Sequence, residues 1–141
     1  MRALLPAVLA ALLMGGCVST PALTVAQETA EAPAGFEPAL FQRACEALME
    51  HCPLNAPVRV QVQPLEGYYG RTHWAGQYEI AIEGRQPMQG VLDTLIHEWA
   101  HAMVWDASED PVYGGHGPLW GVAYARAYRV VMAELTASAG D

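Results

Sequence analysis

Residues 87 to 105 are PMQGVLDTLIHEWAHAMVW, and this stretch has the strongest helical pattern in the chain. Its apolar side chains recur at the three- and four-residue spacing of a helix face that packs against a core. Pro87 stands where the first turn of a helix tolerates proline. The pattern predicts a helix over residues 88–105 with the apolar face Val91, Leu92, Leu95, Ile96, Trp99 and Met103.

The same helix contains two histidines four residues apart, His97 and His101, with Glu98 directly after the first. Residues i and i+4 lie on one helix face, so both imidazoles can reach a single ion at about 2.0–2.1 Å. Glu98 is rotated by about 100° from His97, which lets it hold a metal-bound water without ligating the ion. The HExxH spacing therefore predicts a zinc site in which Glu98 is the catalytic base.

A catalytic zinc site is expected to have three protein ligands. The downstream candidates for the third are Glu109, Asp110, His116 and Glu134. His116 is favoured because imidazole suits zinc and because the flanking glycines let the backbone fold tightly around an ion. Pro118 marks a helix start that would fix where this histidine points. We therefore predict one zinc ion per chain, bound by His97, His101 and His116.

The remaining patterns predict an α+β domain in which helices pack on a small sheet. Helical spacing marks residues 36–51 and 119–135, and apolar alternation marks strands at residues 58–62, 68–74 and 78–83. This order favours an N-terminal helix, a three-stranded antiparallel sheet, the HExxH helix and a C-terminal helix. The strand over residues 77–83 is expected to offer its edge to an extended peptide.

The N-terminus has the features of a bacterial export signal. Residues 1–16 are MRALLPAVLAALLMGG, in which one Arg precedes an apolar stretch too short to span a bilayer. Met14 to Cys17 resembles a lipobox, which implies lipidation of Cys17 and attachment to a membrane of the bacterial cell envelope. Cleavage after Ala26, giving a secreted or periplasmic protein, is the alternative. Residues 17–35 are predicted to be a flexible tether and residues 36–137 the folded domain.

The chain is acidic and contains few cysteines. Its 141 residues include seven Arg, no Lys and fifteen acidic residues, for a formal net charge of −8. A broad phosphate-binding face needs clustered cations, so no nucleic-acid partner is expected. Cys45 and Cys52 are seven residues apart in a predicted helix, which separates their Cα atoms by about 10 Å. They form a disulfide only if the helix ends before Cys52, and two buried thiols are the alternative.

Two segments together resemble the SprT-like zinc metallopeptidases: LIHEWAHA, residues 95–102, and GHGPLW, residues 115–120. In that family HExxH is followed by a third histidine in an HGP segment that ends in an aromatic residue. The resemblance covers about residues 55–130. It implies a small zincin-like domain that cleaves peptide or protein substrates, with His97, His101 and His116 as ligands and Glu98 as general base.

This chain also departs from the family. SprT-like proteins are chiefly intracellular, and some cut proteins crosslinked to DNA with the help of basic or zinc-ribbon parts. The acidic composition, the export signal and the lack of a later CxxC pair argue against that DNA role here. Leu119 stands where the family often has an acidic residue. Two rival interpretations are a non-catalytic envelope module stabilised by zinc and an intracellular SprT-like protein with a misinterpreted N-terminus.

Two further residues are weaker candidates for the site. Tyr113 precedes His116 in the same loop and can donate a hydrogen bond to an oxyanion, or it can simply pack the loop. His73, beside Trp74, can face the cleft, although an exposed or capping histidine is the simpler interpretation. Both are retained as candidate oxyanion or substrate contacts.

Overall fold

The computed structural model describes residues 21–27, 35–107 and 115–139. The strands of the described part are β1 (Leu23–Gln27), β2 (Val58–Gln63), β3 (Gly70–Trp74) and β4 (Tyr78–Glu83). The helices are α1 (Pro38–His51), α2 (Met88–Met103) and α3 (Pro118–Ser138). The α+β class is confirmed, and each predicted helix and strand is present within a few residues of its expected position.

The sheet differs from the predicted three-stranded antiparallel arrangement. It has four strands in the order β1-β2-β4-β3, with β1, β2 and β4 parallel and only β3 antiparallel to its neighbour. The prediction was wrong because apolar alternation shows which face of a strand is buried but not which strands are neighbours. The expectation that residues 77–83 form an open edge was also wrong, since β4 is paired on both sides. Within the described residues, the edge strand beside α2 is β3, which pairs only with β4.

The connection between β2 and β3 crosses the carboxyl end of β4, and Glu83 anchors it there. The Glu83 carboxylate accepts a hydrogen bond from the backbone N–H of Leu65 at 2.7 Å, and the Glu83 N–H donates to the carbonyl of Tyr69 at 2.7 Å. The Arg85 guanidinium donates to both carboxylate oxygens at 2.8 Å. These contacts hold β3 on the far side of β4, where it lies beside α2.

Part of the expected flexible tether is a strand. In β1, Leu23 and Val25 pack against the hydrophobic core, and the whole strand pairs in parallel with β2. The alternation in β1 is only five residues long, and its pairing partner lies more than thirty residues away, so composition alone suggested a linker. Among the described residues, no helix is both long and apolar enough to cross a membrane.

The core lies where the three helices and the sheet meet. Helix α2 packs on β3 and β4, α1 contacts β1, and α3 packs on both α1 and α2. Trp99 of α2 is fully buried, and its indole N–H donates to the carbonyl of Cys52 at 3.0 Å. Cys45 and Cys52 are buried as separate thiols, which decides between the two alternatives for this pair. The buried face of α2 thus fixes the position of its opposite, histidine-bearing face.

Candidate metal centre

Three imidazoles meet where α2 approaches the start of α3. His97 and His101 lie one turn apart on α2, and His116 lies two residues before α3. The Nε2 atoms are 3.2 Å apart between His97 and His101, 3.1 Å between His101 and His116, and 3.0 Å between His97 and His116. The three side chains are close enough to bind one metal ion. The predicted convergence of these histidines is confirmed.

The other candidates for the third ligand do not join this group within the described part of the chain. Glu134 lies near the end of α3, and its Oε1 accepts a hydrogen bond from Nε of Arg43 at 3.2 Å. Glu109 and Asp110 lie outside the described residues. His116 is therefore the only one of the four that the structure places with His97 and His101.

The backbone around His116 explains how it reaches the pair on α2. Gly115 has a φ of 79°, a left-handed conformation that side chains with a Cβ rarely adopt. A Cβ at Gly115 would lie 3.5 Å from Cε1 of His101, an ordinary van der Waals contact, so the backbone conformation is what requires glycine. Gly117 caps α3 with extended backbone, and Pro118 occupies the first turn. The glycine and proline pattern thus turns the chain sharply and starts α3 directly after the histidine.

The donor set fits a metal ion that prefers nitrogen ligands. Nitrogens bound at about 2.0–2.1 Å to a tetrahedral ion lie about 3.3–3.4 Å apart, close to the separations found here. The three imidazole rings stand at 60–63° to one another, so each directs Nε2 toward the shared centre. Three nitrogen lone pairs that face one another repel. A cation bound between them would offset that repulsion. The arrangement is that of a three-histidine metal site.

Trp120 forms one wall of this centre. Its ring centroid lies 4.9 Å from that of His97, 5.6 Å from that of His101 and 4.6 Å from that of His116. The structure leaves Trp120 half-buried against the three imidazoles. Its spacing of four residues from His116 is the signal that could have placed it there. Because His116 is exposed, the centre is open to solvent on one side.

Glu98 lies between α2 and β3. Glu98 is buried, with 7% of its surface exposed to solvent. The Thr72 hydroxyl of β3 lies 2.7 Å from Oε2 of Glu98 and 2.9 Å from the Glu98 carbonyl oxygen. Thr72 therefore holds both the side chain and the backbone of Glu98. Sequence reasoning missed Thr72, because its role depends on how β3 registers against α2.

Gly70 permits the close approach of β3 to α2. A Cβ at this position would lie 2.4 Å from Cγ2 of Thr94 and 2.8 Å from both Cγ and Oε1 of Glu98. No side chain larger than hydrogen fits there without a shift. Gly70 and Thr72 occupy the same face of β3, and both lie against the turn of α2 that contains Glu98.

Burial changes the proton affinity of two groups at the centre. It lowers the pKa of His97, and the neighbouring His116 lowers it further, so the neutral ligand form of the imidazole is favoured. Burial raises the pKa of Glu98 above the ordinary value for a glutamate. The hydrogen bond from Thr72 and the charge of His116 offset part of that rise.

Of the two weaker site candidates, only His73 lies within the described residues, and the structure does not group it with the three histidines. His73 points to the face of the sheet away from α2, and its Nε2 lies 3.7 Å from the Glu79 carboxylate. Strand alternation explains this, because Thr72 faces α2 and the next residue must face the other way. Tyr113 and Cys17 both lie outside the described residues.

Comparisons of the chain with protein-family models, with curated proteins and with solved structures find no match. Function is therefore inferred from the chemistry of the metal centre itself. Its elements are the three converging imidazoles, the buried Glu98 and the open side next to Trp120.

Proposed function

We propose that the protein is an exported zinc-dependent peptidase with a small zincin-like domain of the SprT-like kind. The observation that carries the proposal is the convergence of three imidazole nitrogens within 3.2 Å of one another, on a helix that also holds a buried glutamate beside the first histidine. His97, His101 and His116 would hold one zinc ion per chain. Glu98 would be the general base.

The donor set supports zinc over other common ions. Imidazole nitrogen suits zinc, whereas magnesium and calcium prefer oxygen ligands. Three protein ligands with an open side are the pattern of a catalytic site, since structural zinc sites use four. When bound in such a site, zinc polarises a carbonyl group and lowers the pKa of a coordinated water.

The Glu98 carboxylate is the group that accepts and then donates a proton in the proposed reaction. Its carboxylate takes the proton of the attacking water and later gives it to the nitrogen of the leaving amine. Thr72 orients the carboxylate by its 2.7 Å hydrogen bond to Oε2. The burial that raises the pKa of Glu98 strengthens the carboxylate as a base, which suits a group that must accept and then release a proton.

The substrate of this proposal is a peptide bound along the free edge of β3. An extended peptide can add to an exposed edge as a further strand, which gives backbone hydrogen bonds without requiring a particular sequence. The face of β3 that carries Gly70 and Thr72 lies against α2 next to Glu98. A peptide on this edge would therefore pass the metal centre.

The test of the proposal is the Glu98→Gln variant. The amide retains the size of the side chain but cannot accept a proton, so cleavage of an unfolded protein should fall by about 10²–10⁴-fold. Zinc content and thermal unfolding should remain near those of the wild type, since Glu98 is not a ligand. Glu134→Gln is the matched control and should retain full activity, because that carboxylate bonds Arg43 away from the centre.

Two results would overturn the proposal. One is a Glu98→Gln protein that cleaves as fast as the wild type. The other is a wild-type protein loaded with one zinc per chain that cleaves nothing across a broad peptide library. Either result would favour the non-catalytic, zinc-stabilised module instead.

A further inference from the structure

A second cleft opens beyond the carboxyl end of α2. It has a volume of about 330 Å³ and is lined by Asn55, Ala56, Trp74, Tyr78, Trp105 and Asp106. We refer to these six residues as the aromatic cleft. Trp74 is 47% exposed and Trp105 is 41% exposed, so both large apolar rings present surface to solvent. The proposed reaction uses none of these residues.

The three rings stand as adjoining walls. Tyr78 is buried between the two tryptophans, with its ring centroid 5.0 Å from that of Trp74 and 6.3 Å from that of Trp105. The interplanar angles are 71° and 75°. Both pairs meet edge to face. The exposed surfaces of Trp74 and Trp105 line the cleft beside Tyr78, and exposed aromatic faces attract a cation.

A chain of hydrogen bonds places a carboxylate in the same cleft. The Tyr78 hydroxyl donates to Oδ1 of Asn55 at 2.6 Å, and Nδ2 of Asn55 donates to Oδ2 of Asp106 at 3.0 Å. Among the described residues, no Arg or His forms an ion pair with Asp106. Asp106 also follows the carboxyl end of α2, whose partial negative charge favours a cation there.

We propose that the aromatic cleft binds a positively charged side chain, a guanidinium or an alkylammonium group, of the peptide substrate. This inference rests on the proposed peptidase function, because the cation would be a side chain of the peptide substrate. Ring faces attract a cation through their quadrupoles, and the Asp106 carboxylate adds a charged partner. The formal net charge of −8 further favours cationic ligands over anionic ones.

The position of the cleft relative to the metal centre gives its role. Trp74 lies two residues after Thr72 on the same face of β3, about 7 Å along the strand. Trp105 lies four residues after His101 in the chain, just beyond the end of α2 at Met103. A peptide bound to the β3 edge would thus place a side chain close to the cleaved bond in the aromatic cleft. The inferred specificity is for Lys or Arg near that bond.

A binding experiment tests the cleft without any need for hydrolysis. Glu98→Gln protein is titrated with Nα-acetyl-arginine amide and with Nα-acetyl-citrulline amide, which has nearly the same shape and no charge. Tryptophan fluorescence should report binding of the arginine compound at least about 10-fold tighter. Asp106→Asn should remove most of that preference. Asp93→Asn is the matched control on the exposed side of α2 and should keep it.

Equal binding of the two compounds, no binding of either, or a preference that survives Asp106→Asn would overturn the inference. Tetramethylammonium is a third ligand in the titration. If it binds more tightly than the arginine compound, the cleft is a quaternary-ammonium site and the assignment to a peptide side chain is wrong.

A cleavage experiment separates this inference from the proposed function. Wild-type protein is given peptides that differ only by Arg or citrulline at positions next to the cleaved bond. Arginine at one position should raise kcat/KM about 10-fold, and Asp106→Asn should abolish that difference. Cleavage without any preference for arginine would refute the role of the cleft alone. Cation binding without any cleavage would instead refute the peptidase proposal.

Discussion

Replacement of Gly70 by alanine should displace Glu98 without removing the bound metal. The added Cβ would lie 2.4 Å from Cγ2 of Thr94 and 2.8 Å from Cγ of Glu98. Ordinary contacts between carbon atoms are about 3.5–4.0 Å, so β3 and α2 must move apart by about 1 Å at this point. The atoms nearest to that Cβ belong to Thr94 and Glu98 and to none of the three histidines, and we expect the variant to keep its metal.

The size of the effect follows from these distances. Overpacking of this kind costs about 1–3 kcal/mol in the free energy of unfolding. A separation of about 1 Å would lengthen the 2.7 Å contact between Thr72 and Glu98 beyond hydrogen-bonding range. Misplacement of a reacting group by about that distance costs about 10²-fold in rate. Gly70→Ala should therefore lose about two orders of magnitude in peptide cleavage.

The assay combines zinc content, chemical unfolding and the rate of cleavage of an unfolded protein. Gly121→Ala is the matched control, because a Cβ there meets nothing within 4 Å and alanine favours the helix. A second variant, Gly70→Ala with Thr94→Ser, removes the methyl group at 2.4 Å and should recover part of the stability. Wild-type stability and wild-type cleavage in Gly70→Ala would refute the reasoning about this contact.

Three further perturbations address the centre and the crossing loop. His116→Ala should lower bound zinc far below one per chain after dialysis, and retained zinc would mean that another residue completes the site. Thr72→Val should keep zinc but lower kcat/KM about 10-fold, while Thr72→Ser should restore it, because only the hydroxyl holds Glu98. Arg85 lowers the pKa of Glu83 to about 2, so stability should fall as the pH decreases from about 4.5 toward 2. Solvent around the half-exposed Arg85 limits this loss to about 1–2 kcal/mol, and urea unfolding of Glu83→Gln should show a flatter pH dependence.

The elements that sequence predicted correctly are those with local signals. Helix α2 is specified by its own apolar periodicity, and the histidine spacing follows from the geometry of a single turn. His116 was found because glycine and proline constrain the backbone on both sides of it. Each of these signals lies within about twenty residues of chain, so no knowledge of the fold was needed.

The features that sequence missed depend on contacts between distant segments. The hydrogen bonds of Glu83 help to hold β4 between β2 and β3. Glu83 is acidic, so the sequence alone would suggest that it is exposed to solvent. Thr72 and Gly70 support Glu98 only because β3 lies at the edge beside α2. The error in sheet order therefore also hid the residues that hold the proposed base.

The strand β1 bears on the two predicted cleavage sites of the N-terminus. Cleavage after Ala26 would remove four of the five residues of β1. It would also remove Leu23 and Val25 from the core and leave the edge of β2 unpaired. Cleavage before Cys17 would retain the whole strand, so we expect the mature chain to keep β1.

Retention of β1 also shortens the proposed tether. Only residues 18–22 separate Cys17 from β1, and five extended residues span at most about 18 Å. A lipid on Cys17 would hold the metal centre close to the membrane surface, where the substrates would be proteins of that surface. Mass spectrometry of the mature protein should find an acylated chain that begins at Cys17, and Cys17→Ala should abolish the acylation. A mature chain that begins at Gln27 would show that β1 is dispensable and would refute this reasoning.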